Sequence, residues 1–209
     1  MKLCVFDFDS TLMDGETIDF LALELGLKDK VAQITEQAMQ GKIDFYESLT
    51  TRVKYLEGLR EQQVDEICHN LPYMPGAKET IKELKKRGYK VIVFSGGFRN
   101  ATTHAKDILG YDVDFSNILH AKDGYLTGSV GGEMMFGFSK GDMLQRLQYL
   151  LKISRNDTMV VGDGANDLSM FKFADTRVAF CAKDALKKEA NIVIEEKDLT
   201  KILRSDKCI

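Results

Sequence analysis

The chain has 209 residues, 44% hydrophobic and 29% charged, with 29 Lys and Arg against 32 Asp and Glu for a formal net charge of −3. That is the composition of an ordinary globular protein, one domain or one core domain carrying an insertion. It lacks the basic stripe that nucleic-acid binding draws on, and no apolar run approaches the ~18 residues of a membrane span. The N-terminal apolar run meets an acid at Asp7, too early for a secretory signal. The expectation is a cytoplasmic chain, monomer or homodimer, that binds neither nucleic acid nor membrane. Cys4, Cys68, Cys181 and Cys208 form no C-x-x-C pair, which argues against a zinc site. Cys4 and Cys181 sit in apolar runs and read as small buried hydrophobes. Cys208 is penultimate rather than fourth from the end, so it makes no prenylation signal.

Residues 2–8 are β-prone with no polar alternation, as in a strand covered on both faces. From 16 to 71 there is no strand signal, only amphipathic helix. One helix carries Ile18, Leu21 and Leu25 and ends near Gly26. The next carries Val31, Ile34 and Ala38 and ends at Gly41. A third runs from an Asp44 cap through Phe45, Leu49, Val53 and Leu56 to Gly58, and a fourth holds Val64, Ile67 and Leu71. The only prolines, Pro72 and Pro75, follow at once and mark a seam. The reading is a core of residues 1–15 and 73–209 with a helical cap, 16–72, inserted over the strand ends. Four helices lying flat on one sheet face remain the alternative at this point.

Beyond the seam, Ala77, Ile81 and Leu84 share a helix face that Gly88 ends. A strand at 90–94 leads into a helix carrying Phe98, Ala101, Ala105 and Ile108. Asp123-Gly124 between β-prone runs at 118–121 and 125–130 signals a small hairpin excursion. Ser139 reads as the cap of a helix with Met143, Leu144, Leu147, Leu150 and Leu151 inside. Strands at 158–161, 177–181 and 192–194 complete the chain. The alternation predicts an α/β fold, a Rossmann-like parallel sheet flanked by helices, with the helical cap inserted after strand one.

The chemistry-bearing residues gather at the ends of these elements. Asp7 and Asp9 are two residues apart at the carboxyl end of strand one, where alternation points them to one side and where open α/β sheets bind ligands. Two close carboxylates repel, so the pair calls for a cation or a raised pKa. That suits a magnesium-dependent nucleophile beside a general acid. The same pair also reads as a strand-ending Asp7 and a turn-capping Asp9. Ser95-Gly96-Gly97 precedes a helix, as a phosphate cradle does, although Ser-Gly-Gly is also a common turn. Gly162-Asp163-Gly164-Ala165-Asn166-Asp167 is a second acidic strand-to-helix turn, in which Asp167 also reads as a helix-start acid. Lys140 sits at a helix start, against the dipole, which favours a function over a plain surface lysine without excluding the latter.

The ordered set Asp7-Phe8-Asp9-Ser10-Thr11-Leu12, Glu16-Thr17-Ile18, Ser95-Gly96-Gly97-Phe98, the Asp123-Gly124 hairpin with Leu126-Thr127-Gly128, and Gly162-Asp163-Gly164-Ala165-Asn166-Asp167 with Ser169-Met170-Phe171 resembles the haloacid dehalogenase-like phosphohydrolases. The resemblance covers nearly the whole chain and is strongest to members acting on phosphoserine. It implies Asp7 as nucleophile, forming an aspartyl-phosphate, and Asp9 as general acid and then base. It implies Mg²⁺ held by Asp7, Asp163 and the Asp9 carbonyl. Phosphate would meet Ser95, Gly96, Gly97 and Lys140, with Asn166 and Asp167 positioning it. In the cap, Glu16 and Arg52 would take the ammonium and carboxylate of L-phosphoserine, with Met39 and Phe45 closing over it; residue by residue, Arg52 also reads as a solvated cation and Met39 and Phe45 as cap core. Family members often carry an acid where this chain has Arg99, which is expected at the pocket rim. The segment 133–138 is rich in glycine and aromatics, so Lys140 is assigned by spacing. His69, His104 and His120 match no motif. Rival readings are phosphate transfer from Asp7 to an alcohol such as homoserine, a phosphatase of other specificity, or a phospho-accepting receiver. The last is disfavoured because a receiver carries its acid pair and phosphorylated Asp on different strands.

Overall fold

The computed structural model describes residues 1–39 and 42–204. The first apolar run forms β1 (Lys2–Asp7). Cys4, Phe6 and Phe8 enter one apolar cluster and Leu3 and Val5 the other, all of them fully buried. That is the doubly covered strand the sequence predicts, since successive side chains point to opposite faces.

The chain continues through α1 (Thr17–Glu24), α2 (Lys28–Met39), α3 (Phe45–Lys54), α4 (Glu61–His69) and α5 (Ala77–Lys86) to β2 (Tyr89–Phe98) and α6 (Arg99–Leu109). Then come β3 (Val113–Lys122), β4 (Tyr125–Gly132), α7 (Ser139–Leu151), β5 (Thr158–Gly162), α8 (Leu168–Phe171), β6 (Thr176–Phe180), α9 (Asp184–Lys187) and β7 (Ile192–Ile194). Asp44 caps α3 as expected, its carboxylate accepting from the Tyr46 and Glu47 amides.

One seven-stranded sheet runs in the order β4-β3-β2-β1-β5-β6-β7. Every pairing is parallel except β3 with β4. The winding reverses at β1, which has β2 on one side and β5 on the other. A crevice opens at such a switch point, beyond the carboxyl ends of the strands. Asp7 ends β1, Ser95 follows Phe94 on β2, and Asp163 follows Gly162 of β5. The topology therefore converges three of the sequence motifs on one spot.

The segment carrying α1–α4 leaves and returns beside itself. The Asp14 amide donates to the Pro72 carbonyl at 2.9 Å, and the Met74 amide to the Leu12 carbonyl at 2.8 Å. Its apolar residues, including Leu21, Val31, Leu49, Val53 and Val64, join the same cluster as Phe6, Phe8 and Val93. The far end of α3 is tied to the hairpin, with the Gly58 amide donating to the Leu126 carbonyl and the Leu126 amide to the Leu59 carbonyl.

Several local expectations change. Ser139 does not cap α7; it is the helix's first residue, and its hydroxyl accepts the Phe136 amide instead. Leu150 is 73% exposed, because Leu144 and Leu147 already fill the face of α7 that packs on the sheet. Leu25 falls beyond the end of α1 and is exposed. Strand β6 stops at Phe180, leaving Cys181 half-buried with φ +46° rather than in the core. The hairpin grows out of the sheet itself, since residues 113–115 of β3 pair with β2 before the chain turns at Asp123-Gly124. Gly41 and Cys208 lie outside the described residues.

Candidate active site

The loop after β1 coils back on itself. The Leu12 and Met13 amides both donate to the Phe8 carbonyl, and Ser10 takes a left-handed φ of +57° with its amide on the Gly15 carbonyl. The strand ends at Asp7, so Asp9 reaches the site through this loop rather than by strand alternation. Its Oδ1 accepts the Thr17 amide at 2.7 Å and the Thr17 hydroxyl at 2.5 Å, while Oδ2 accepts the Ser95 hydroxyl at 3.3 Å. Asp9 thus faces the site and also holds the first residue of α1. A Cβ at Gly97 would collide with its Oδ2, a close approach only glycine permits.

Asp7 is buried, and its Oδ1 accepts both the Phe8 amide and Lys140 Nζ, each at 2.7 Å. Lys140 is 3% exposed, and its Nζ also meets Asp167 Oδ1 at 2.6 Å. Asp167 Oδ2 accepts the Asp163 and Gly164 amides, locking the acidic turn. Gly162 leaves room for that carboxylate, which a Cβ there would strike. The surface reading of Lys140 is thereby excluded, and its unfavourable place at a helix start is offset by two buried carboxylates.

Above these residues lies a cavity of about 670 Å³ including its open mouth, walled by Asp7, Asp9, Glu16, Phe45, Arg52, Gly96, Gly97, Asp163 and Asn166. Ser95, Lys140 and Asp167 stand behind that wall, touching it through Asp9 and Asp7. Glu16, Phe45 and Arg52 reach the cavity from the segment between β1 and β2. Glu16 accepts the Ser10 hydroxyl at 2.8 Å. Arg52 is buried, with Nη1 donating to Thr35 Oγ1 at 2.9 Å and Nε to the Ser48 carbonyl at 3.3 Å. Phe45 stands against Gly96, where a Cβ would come within 2.7 Å of its ring. Met39 closes α2, but its side chain lies outside the described residues.

A family model of the haloacid dehalogenase-like hydrolases matches residues 1–175. The chain belongs to this family. A phosphoserine phosphatase of Wolinella succinogenes is 65% identical over 203 residues, spanning 97% of this chain and 98% of that protein. One of Methanocaldococcus jannaschii is 49% identical over 203 residues, spanning 97% and 96%. Among solved structures, a substrate-bound phosphoserine phosphatase complex aligns with a TM-score of 0.93 at 48% identity, over 97% of each chain. A phospho-aspartyl intermediate analogue of phosphoserine phosphatase aligns at 0.94 and 49%, again over 97% of each.

The electrostatics of this hydrolase's site are lopsided. Asp7, Asp9, Glu16, Asp163 and Asp167 face two cations, Lys140 and Arg52. Burial pushes Asp7 up to about 8, with the Asp167 charge adding to it and Lys140 opposing. Burial and the Asp9 charge push Glu16 up to about 8 against Ser10 and Arg52. Burial, then Asp7 and Asp167, raise Asp163 well above the carboxylate range. Asp9 is raised by burial against its hydrogen bonds from Thr17 and Ser95. Burial works against the Lys140 charge, but Asp167 and Asp7 outweigh it and hold the ammonium protonated.

Magnesium, implied by the family resemblance, fits these residues. Carboxylate oxygens of Asp7, Asp163 and Asp167 lie within 4.8 Å of one another and are all buried. They are hard oxygen donors of the kind Mg²⁺ prefers, and their excess of negative charge is what a divalent cation relieves. Asp167 already has both oxygens engaged, so Asp7 and Asp163 are the carboxylates left for a cation.

Some residues escaped the sequence reading. Thr35 lines the cavity and fixes Arg52, Thr17 fixes Asp9, and Ser10 fixes Glu16. Thr17 and Ser10 lie inside motifs that could have flagged them, whereas nothing marks Thr35 within its helix. Arg99 does not line the cavity; its Nη2 meets both Glu133 carboxylate oxygens at 3.1 Å.

Proposed function

We propose that this chain hydrolyses L-phosphoserine to L-serine and phosphate through an aspartyl-phosphate on Asp7, with Mg²⁺ as its cofactor. One observation carries the reading. A single cavity is lined by Asp7 and Asp9 and also by a half-buried acid, Glu16, and a buried guanidinium, Arg52. Those are the counter-groups for a phosphate at one end of a ligand and an ammonium and carboxylate at the other. Arg52 can grip the carboxylate with two parallel hydrogen bonds. The names of the relatives support the same substrate.

The contacts support the following mechanism on this reading. The Asp7 carboxylate attacks phosphorus in line as the bond to the serine oxygen breaks. Asp9, whose protonated form is favoured by burial, gives its proton to that oxygen. Asp9 then takes a proton from a water that attacks the aspartyl-phosphate, releasing phosphate and restoring Asp7. On this reading the Gly96 and Gly97 amides receive the phosphoryl oxygens, Lys140 and Ser95 support them from behind Asp7 and Asp9, and Asn166 and Asp167 orient them. Asp7, Asp163 and the Asp9 main-chain oxygen would hold Mg²⁺, which neutralises charge on the transferring group. Residues 16–72 act as the cap that supplies the head-group contacts. No helix among the described residues is long and apolar enough to cross a membrane.

The test is phosphate release with Mg²⁺ from L-phosphoserine, phosphothreonine, phosphohomoserine and a sugar phosphate, each with and without added homoserine. A strong preference for L-phosphoserine, unchanged by homoserine, is expected. Broad activity, or phosphate diverted to homoserine, overturns the substrate assignment.

A further inference from the structure

Three aromatic side chains stand stacked in solvent next to Phe45. Tyr46 of α3 lies over Phe136 with ring centroids 5.1 Å apart and planes 14° apart, and Phe136 lies over Phe138 at 5.2 Å and 3°. They are 43%, 45% and 58% exposed, so burial does not account for their order. Near-parallel rings at this separation attract beyond the area they cover.

The stack joins α3, which supplies Phe45 and Arg52 to the cavity, to the loop before α7. Tyr46 follows Phe45 on the helix that carries Arg52. On the other side, the Phe136 amide donates to Ser139 Oγ and the Ser139 amide to the Phe136 carbonyl. These two hydrogen bonds fix the loop to the first turn of α7, beside Lys140. Gly137, between the two phenylalanines, lies against Phe45, where a Cβ would meet Phe45 Cβ at 3.9 Å. One ladder of rings therefore ties the helix bearing the head-group contacts to the turn bearing the lysine on Asp7.

We propose that Tyr46, Phe136 and Phe138 form a clasp that seats α3 against the loop before Lys140, holding Phe45 and Arg52 at the span an amino-acid phosphate requires. The inference rests on the substrate reading above. None of the three rings lines the cavity, so they are positioning residues. Their effect belongs in KM for a substrate that uses Phe45 and Arg52 as well as the phosphate site, and not in KM for one that uses the phosphate site alone.

The experiment compares L-phosphoserine with acetyl phosphate, which has no ammonium or carboxylate, in Tyr46→Ala, Phe136→Ala, the double variant and Tyr46→Phe. For L-phosphoserine, each single alanine variant should raise KM about 3- to 10-fold, the worth of the bridging Tyr46–Phe136 pair that both changes remove. The double variant should be little worse than either single, because either change alone breaks the ladder. Tyr46→Phe keeps the ring and should restore KM, and KM for acetyl phosphate should stay within about 2-fold throughout. A chain that does not prefer L-phosphoserine before any substitution overturns the substrate reading. An intact preference with unmoved KM, equal shifts for both substrates, or fully additive losses overturns the clasp.

Discussion

At the scale of single residues, the site is built from side chains whose hydrogen bonds are shared between chemistry and architecture. Asp9 faces the cavity with one oxygen on Ser95 and holds α1 with the other through Thr17. Asp7 is the reverse, a nearly closed group whose Oδ1 is taken by Lys140 and the Phe8 amide. Asp7→Asn is close to isosteric but cannot attack phosphorus, so kcat should fall by roughly three orders of magnitude or more. The melting temperature should hold or rise, because one of five crowded carboxylates is neutralised. Substantial residual turnover would place the nucleophile elsewhere. Thr35 gives a subtler case. Its hydroxyl accepts from Arg52 Nη1 and donates to the Val31 carbonyl at 3.2 Å. Thr35→Val keeps the shape and removes both bonds, freeing the guanidinium to reorient. KM for L-phosphoserine should rise about tenfold, the scale of one hydrogen bond to a charged group, and Thr35→Ser should restore it. An unchanged KM in Thr35→Val would mean that Ser48 and the cavity wall hold Arg52 unaided.

At the scale of elements, β1 was legible because a strand buried on both faces must be an unbroken apolar run. The acidic and glycine turns were legible because ligand chemistry fixes residue type and spacing together. The first half of β3 was not. Residues 113–115 include Asp114, and Val113 is 37% exposed, so an edge-side segment showed no apolar run to read. Leu150 misled because an amphipathic helix offers more leucines than one sheet face can cover. Arg99 misled because position in a motif says nothing of a partner 34 residues away. Asp112, just before β3, shows how such a segment is held. Its Oδ2 accepts the Val91 amide at 2.8 Å, and its Oδ1 lies 3.1 Å from Lys85 Nζ. Partial burial pushes its carboxyl up, but the Val91 amide and then Lys85 outweigh that and hold it below its ordinary value. A carboxyl depressed in the folded state stabilises fully above its unfolded pKa of about 3.9, and that contribution is lost as pH falls through the folded value. Asp112→Asn should therefore cost about 1 kcal/mol at pH 7, a drop of about 2–4 °C in melting temperature. The gap to the parent should close as pH falls below about 4. A gap of constant size across that range would assign the loss to packing instead of charge.

At the scale of the whole molecule, the switch point at β1 and the α1–α4 segment gather negative charge that Lys140 and Arg52 answer among the described residues. The fold tolerates this because that segment shares its apolar cluster with the sheet, so the cavity walls are stabilised by burial elsewhere. A cation bound to Asp7 and Asp163 would relieve repulsion in the folded chain and find no equivalent site in the unfolded one. Mg²⁺ at about 100 times its dissociation constant should then add about 2.7 kcal/mol. For a chain of this size that raises the melting temperature by about 5–10 °C over the protein in chelator. Asp163→Asn separates the two halves of the argument. It removes a ligand, so the Mg²⁺ shift should shrink, and it removes a buried charge raised by burial, Asp7 and Asp167, so the variant in chelator should melt no lower than the parent. An undiminished shift in Asp163→Asn would put the cation outside the β5 turn, and a lower melting temperature in chelator would mean that Asp163 is held by favourable contacts rather than by the strength of the surrounding fold.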